Sequence, residues 1–255
     1  MLKQRTTPRV RALPKPVLHR SDRNTVHNTI LLGLTRKECD SVLSRLDFVE
    51  LPTHTILNEM SQPIKFAYFI NSGLASILNV LSHGKSVEVG LTGKEGFVGL
   101  PLLVGFATSP TQAVMQIAGT AYRLSADDIV DMLRRSPQLE RSLNRYSQEL
   151  ALQVTQVAAC NRLHEVEQRL ARWLLMSQDR VGTSTFSLTQ QFLAHMLGTR
   201  RASVTVAAGI LQKSGLITYK RGEVRIRNRG RLEKTACECY RNFNRQIKSW
   251  HSASN

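Results

Sequence analysis

Arg200 and Arg201 open the second of two short amphipathic segments within residues 188–213, and their chemistry is that of recognition. A guanidinium can donate two parallel hydrogen bonds to a guanine edge or to a phosphate. Around the pair stand Thr189, Gln190, Thr199, Ala202, Ser203 and Thr205. Small residues there admit close approach, and hydroxyl or amide groups bond to bases and phosphates. The spacing supplies the frame. Thr189 is expected to cap a first helix with Leu193, Ala194 and Leu197 inward, and Gly198 to end it in the left-handed conformation. Thr199 is then expected to cap a second helix whose inner face is Val204, Ala207, Ala208 and Leu211, the i, i+3, i+4, i+7 pattern of a buried stripe. The outward face carries Arg200, Arg201, Ala202, Thr205, Gly209 and Gln212, and the first turn of such a helix is where base contacts concentrate.

Two alternating runs, Leu216–Tyr219 and Val224–Arg227, follow around an Arg-Gly-Glu turn. They predict a hairpin whose tip offers Lys220 and Arg221 to the DNA backbone. Asn228 is expected to cap one last helix running through Leu232, Ala236, Tyr240 and Phe243.

Charge agrees with a nucleic-acid partner. The 255 residues carry a formal +16. Residues 184–255 hold 13 Lys and Arg against 3 Asp and Glu, residues 1–24 hold 7 against 1, and residues 25–183 hold 15 of each. A polyanion-binding module attached to a neutral body distributes charge in this way.

Enzymatic chemistry finds no constellation. His54 and His83 lack neighbouring ligands at metal-site spacing, and no nucleophile motif is present, so neither a catalytic residue nor a metal is expected. The four cysteines, Cys39, Cys160, Cys237 and Cys239, read as reduced structural thiols, because C-x-C is not the spacing of zinc or redox motifs. Competing readings are an enzyme built on a ligand-binding β-roll and a non-specific DNA-binding protein. No apolar run reaches membrane-spanning length and no leader is evident, so a cytoplasmic protein without a membrane partner is expected.

The elements that must position the arginines lie upstream. Residues 1–24 are basic, contain three prolines and have no apolar period, which reads as a disordered tail. A short helical pattern covers about 28–46, with Thr35 as a cap. Short apolar runs at 48–51, 66–70, 74–81, 87–91, 114–117 and 121–124, separated by glycine turns, predict a roll or sandwich. Ser125 is expected to cap a helix ending at Pro137. A long helix then covers about 137–161, with Leu139, Leu143, Tyr146, Leu150 and Val157 on a heptad seam that predicts pairing with a second copy. The architecture is thus α+β: a disordered basic tail (1–24), a jelly-roll-like sensor (25–135), a dimerisation helix (136–162) and a winged helix-turn-helix (163–255).

Four segments together resemble the Crp/Fnr family of bacterial transcription regulators: Ala67–Gly73, Gly93–Gly99, Val166–Leu174 and the helix-turn-helix itself. The resemblance implies a β-roll of the cyclic-nucleotide-binding type, a homodimer on palindromic promoter DNA, and RNA polymerase as a further partner. It places Arg201 where the family has a guanine-contacting arginine, with Ala202 in place of a common glutamate and Val206 in place of a basic residue. It also places a candidate effector pocket at Gly99, Leu100, Thr111 and Gln112. Cyclic-AMP-binding members supply a Gly-Glu and an arginine in this cradle. Here Leu100 and Pro101 follow Gly99, and 107–112 lacks arginine, so cyclic AMP is not the expected effector and no cofactor is expected.

Overall fold

The computed structural model describes residues 11–12, 25–82 and 85–252. The chain divides into two compact units: residues 1–78 with 91–147, and residues 79–90 with 148–255. The division falls inside the long helix, and residues 79–90, read from the sequence as part of the sensor, group with the C-terminal unit. Most of the expected tail lies outside the described residues. Arg11–Ala12, however, forms a short strand, β1, paired with β2 (Asp47–Leu51), so the reading of disorder fails at those two residues.

Strands β1–β9 form two sheets. One has the order β1-β2-β9-β4-β7, with β4 at Phe66–Ile70, β7 at Phe97–Val98 and β9 at Gly119–Ser125. The other has the order β3-β8-β5-β6, formed by Ile56–Asn58, Gln112–Ile117, Leu74–Val80 and Ser86–Thr92. Strand β4 shows why its sequence, FAYFI, is an unbroken apolar run. Tyr68 and Ile70 join a core with Val49, Leu51, Val98 and Met115, while Ala67 and Phe69, on the opposite face, join a second core. That second core is closed by helices α1 (Thr29–Leu32), α2 (Arg36–Leu43), α3 (Ala126–Arg135) and the start of α4 (Pro137–Leu163). A strand covered on both faces cannot alternate. Thr35 and Ser125 cap α2 and α3 as expected, accepting from the N–H groups of Glu38 and Asp128.

Asn71 organises the turn after β4. Its Oδ1 accepts from the backbone N–H of His27 at 2.7 Å, and its Nδ2 donates to the Thr25 carbonyl at 3.0 Å. Asn28 Nδ2 in turn donates to the carbonyls of Ile70 and Gly96 at 2.8 and 2.9 Å. These buried amides are satisfied, as burial requires.

The N-terminal half of the heptad seam requires a correction. Leu139 and Leu143 are fully buried and Tyr146 is nearly so, all three inside the second core of their own unit. Tyr146 also shares a buried hydrogen bond of 2.8 Å with Thr92. Those side chains are already covered and have no surface left for a second copy, and Val157, at the far end of the expected seam, is buried as well. A heptad stripe records that a helix buries one face and does not record against what.

The second unit contains the rest of α4, then α5 (Val166–Val181), β10 (Thr185–Ser187), α6 (Gln190–Met196), α7 (Arg201–Lys213), β11 (Ile217–Lys220), β12 (Glu223–Ile226), α8 (Arg229–Thr235) and α9 (Glu238–Ser252). Strands β10, β12 and β11 form a small antiparallel sheet in that order. The single helix expected after Asn228 is two helices. Asn228 caps α8 through the Arg231 N–H, but Ala236 is extended (φ −62°, ψ 148°) and the chain restarts as α9. Among the described residues no helix is long and apolar enough to cross a membrane.

Candidate nucleic-acid interface

Helices α6 and α7 are joined by a turn that only a residue tolerant of the left-handed region makes without strain. Gly198 has φ +55°. Its N–H donates to the His195 carbonyl at 3.2 Å, and the Thr199 N–H donates to the Ala194 carbonyl at 2.9 Å. These are the two bonds of a Schellman motif, and they close α6. They also explain why Thr199 does not cap α7, contrary to the sequence reading. Its backbone belongs to the turn, and the N-cap is Arg200 (φ −80°, ψ 147°), which makes no side-chain capping bond.

The first turn of α7 therefore leaves its N–H groups without a side-chain acceptor, and such an end favours an anion. Val204, Ala207, Ala208 and Leu211 are buried, as the spacing predicts. Arg200, Arg201, Ala202 and Thr205 are exposed, and Ser203 is half-buried. Val206 is 64% exposed on the same outward side, an apolar residue where burial is not the reason for its presence. The sequence reading noted it only as a missing basic residue; it stands four residues after the exposed Ala202, and the i, i+4 relation places those two on one face.

The two helices are tied across their solvent side. The Thr205 hydroxyl donates to Gln190 Oε1 at 2.8 Å and also lies 3.0 Å from the Arg201 carbonyl. Thr189 is the N-cap of α6 and accepts from the Phe192 N–H at 3.1 Å. Thr189, Gln190, Arg201 and Thr205 are thus linked through neighbouring residues of one unit.

The hairpin tip has the expected form. Arg221 and Gly222 both have positive φ, +52° and +80°, the type I′ geometry that matches strand twist in a two-residue turn. Lys220 and Arg221 are exposed. Tyr219 roots the hairpin. Its N–H donates to Gln212 Oε1 and its hydroxyl to the Leu188 carbonyl, both at 2.8 Å. Burial pushes the Tyr219 phenol up, and the positive charge of Arg201 partly opposes that shift. Tyr219 and Arg201 therefore lie within electrostatic reach of each other.

The expected effector cradle is composed differently. Gly99 (φ +123°) leads into a 3₁₀ turn over Leu100–Val104. The Thr111 N–H donates to Ser109 Oγ at 3.2 Å, and its carbonyl accepts from Asn58 Nδ2 at 2.9 Å. Gln112 Nε2 donates to Glu59 at 2.6 Å. The polar groups of this loop are engaged with their own surroundings. Arg123 pairs with Asp47 at 3.3 Å and stacks 4.1 Å over the Phe66 ring.

All four cysteines are free and buried, and the sequence read them as reduced structural thiols without bringing any of them together. Cys160, Cys237 and Cys239 form one buried cluster. The Cys160 and Cys237 sulfurs lie 3.4 Å apart. That contact, helped by the nearby Arg172 charge, holds the Cys160 thiol down at about 5, while the same contact and burial push Cys237 up.

Two family models match the chain: the cyclic nucleotide-binding domain over residues 48–136 and the Crp-like helix-turn-helix domain over residues 168–235. The chain belongs to the Crp/Fnr family of transcription regulators. Solved structures of similar fold include a Crp/Fnr-family regulator of Eubacterium rectale, at 16% identity and a TM-score of 0.64, covering 82% of this chain and 98% of that one. FixK2 of Bradyrhizobium japonicum aligns at 15% identity and a TM-score of 0.65, covering 75% of this chain and 98% of that one. The c-di-GMP-responsive regulator CLP of Xanthomonas campestris aligns at 18% and 0.64, covering 76% and 100%. At these identities the likeness to each structure is one of fold. No curated protein sequence matches. For a Crp/Fnr regulator, the helix-turn-helix model covers both α6 and α7, the segment in which the sequence places the reading arginines.

Proposed function

We propose that this Crp/Fnr regulator is a homodimer that reads palindromic promoter DNA with α7 and acts there with RNA polymerase. One observation carries the reading: α7 buries Val204, Ala207, Ala208 and Leu211 while leaving Arg201, Ala202 and Val206 exposed. Arg201 donates to a guanine edge, Val206 meets a thymine methyl, and Arg200 with the open N-terminus of α7 takes a phosphate. Lys220 and Arg221 hold the flanking backbone.

The dimer seam lies in the C-terminal half of α4. Leu150 is half-buried, Ala151 and Ala158 are exposed, and Val154 is 37% exposed. Leu150, Val154 and Ala158 fall at i, i+4 and i+8, one narrow apolar stripe, and a second copy of the same helix is its occupant. The two α7 helices would then meet half-sites about 34 Å apart, one helical turn.

The effector is not cyclic AMP. A cyclic phosphate needs a cation, and the loop 107–112 offers none. The fold itself accepts other inputs, as the c-di-GMP-responsive relative illustrates for its own case. Selection of bound fragments from a genomic library by the purified full-length chain tests the proposal. Recovery of a shared inverted repeat supports it, and recovery of unrelated sequence overturns it.

A further inference from the structure

The cysteine cluster includes a fourth donor. His164 follows Cys160 by four residues, and the α4 ladder continues through it, since its N–H donates to the Cys160 carbonyl at 3.2 Å. The i, i+4 relation puts both side chains on one helix face. Cys237 and Cys239 reach the same place because the chain breaks at Ala236 between α8 and α9. One ligand atom from each of Cys160, His164, Cys237 and Cys239 lies within 4.8 Å of every other. The Cys160 and Cys237 sulfurs are 3.4 Å apart, and the Cys239 sulfur is 3.7 Å from His164 Nδ1. A tetrahedral zinc ion with bonds of about 2.3 Å to sulfur and 2.0–2.1 Å to nitrogen sets its ligand atoms roughly 3.5–3.8 Å apart.

We propose that Cys160, His164, Cys237 and Cys239 bind one zinc-class divalent cation in a closed Cys₃His site that fastens the end of α4 to the junction of α8 and α9. Two further features fit an ion. Liganding through Nδ1 leaves Nε2–H of the imidazole outward, and Glu238 Oε1 lies 4.0 Å from Nε2. A carboxylate behind a metal-bound histidine fixes its tautomer and orientation. Arg169 and Arg172 are 6% and 5% exposed, and among the described residues neither is paired with a carboxylate. Each also has a buried Nε without a hydrogen-bond partner. Three thiolates and a dication carry a net single negative charge, which offsets buried guanidinium charge at this site. A multi-iron cluster spreads its cysteines over separate irons, whereas these donors converge on one point. Four protein donors leave no open position, so the site is structural and not hydrolytic. The proposal does not depend on what DNA the protein reads.

The test uses the tag-free full-length chain, reduced and then incubated with Zn²⁺ or Co²⁺ and freed of loose metal. Elemental analysis should give about one zinc per chain. The cobalt form should show intense tetrahedral ligand-field bands and thiolate-to-cobalt charge transfer. The double variant Cys237→Ser/Cys239→Ser should lose nearly all retained metal, while Cys39→Ser should retain it. Where the double variant fails to fold, His164→Cys keeps the question open to measurement. It should still bind cobalt, with bands shifted toward those of a four-thiolate site. Glu238→Gln should weaken zinc in chelator competition by about tenfold, the low end for a group behind a ligand. Wild-type chain without retained metal, a Cys160–Cys237 disulfide in its place, or a His164→Cys cobalt spectrum identical to wild type would each overturn the proposal.

Discussion

Helix α7, proposed to read DNA, and the segment expected as an effector cradle each follow a glycine with positive φ, yet they use their side chains in opposite ways. After Gly198, the side chains of Arg200, Arg201, Ala202 and Val206 are exposed, and α7 begins without a side-chain cap. After Gly99, a 3₁₀ turn begins with Leu100-Pro101, and in the loop beyond it Thr111 and Gln112 are bonded to Ser109, Asn58 and Glu59. One segment keeps donors available for an external anion, while the other uses its polar groups on itself.

The largest expected effect tests the reading side. Arg201→Ala should weaken operator binding by two to three orders of magnitude in a dimer, since each bidentate arginine–guanine contact is worth about 1–3 kcal/mol. Preference at one base pair per half-site should relax, and thermal stability should hold because the side chain is exposed. Titrations against single-base variants of the operator check this. Intact preferences would remove α7 as the reader. Leu150→Glu and Leu143→Ala separate the two halves of α4. The first should yield monomers in sedimentation, with operator affinity falling by more than tenfold. The second should leave the dimer intact but cost about 2–5 kcal/mol of stability, because Leu143 is fully buried in its own unit. Monomers from Leu143→Ala without loss of stability would restore the longer seam.

The same contrast explains what was legible in the sequence. The helix-turn-helix is a local object: Ala194, Gly198 and Val204 lie within one short stretch, and turn chemistry with period 3.6 was enough to place it. Only the cap was off by one, because the Schellman bonds of Gly198 and Thr199 consume the residue that looked like the cap. The roll was legible as a class, but β3 and β7 were not, being three and two residues long. The seam of α4 was legible as a stripe, while its partner was not. The gathering of His164 with Cys237 and Cys239 was not legible, because it joins positions some 75 residues apart and depends on the break at Ala236.

A smaller effect is expected at the wing. Lys220→Ala and Arg221→Ala should each weaken binding to operator and random DNA alike by about tenfold or less. Each should also reduce the slope of log K against log salt by about 1.8 in a dimer, the signature of one lost phosphate contact per subunit. Arg221 adds a detail of its own, since its φ of +52° is a region that glycine occupies without strain. Arg221→Gly should thus show the same reduction in slope without losing the fold. A change in base preference from either alanine variant would move the wing from backbone holder to reader.

The smallest expected effect is a null result on the sensor side. Cyclic AMP at physiological concentration should give no heat in calorimetry and should change operator affinity by less than about twofold. The reasoning is electrostatic. A cyclic phosphate leaving water must regain its hydration energy from a charge-assisted partner. The loop 107–112 has no cation, and Arg123 is held by Asp47 at 3.3 Å and by the Phe66 ring. A ribose hydroxyl would also lack its carboxylate, because Leu100 occupies that place. Asp47→Ala, which frees Arg123 from its ion pair, should not create binding, because the arginine lies on β9 facing β2 and not on the loop. Micromolar binding of cyclic AMP to the wild-type chain would show that the cradle draws a cation from elsewhere, and the contrast between the two ends of the molecule would disappear.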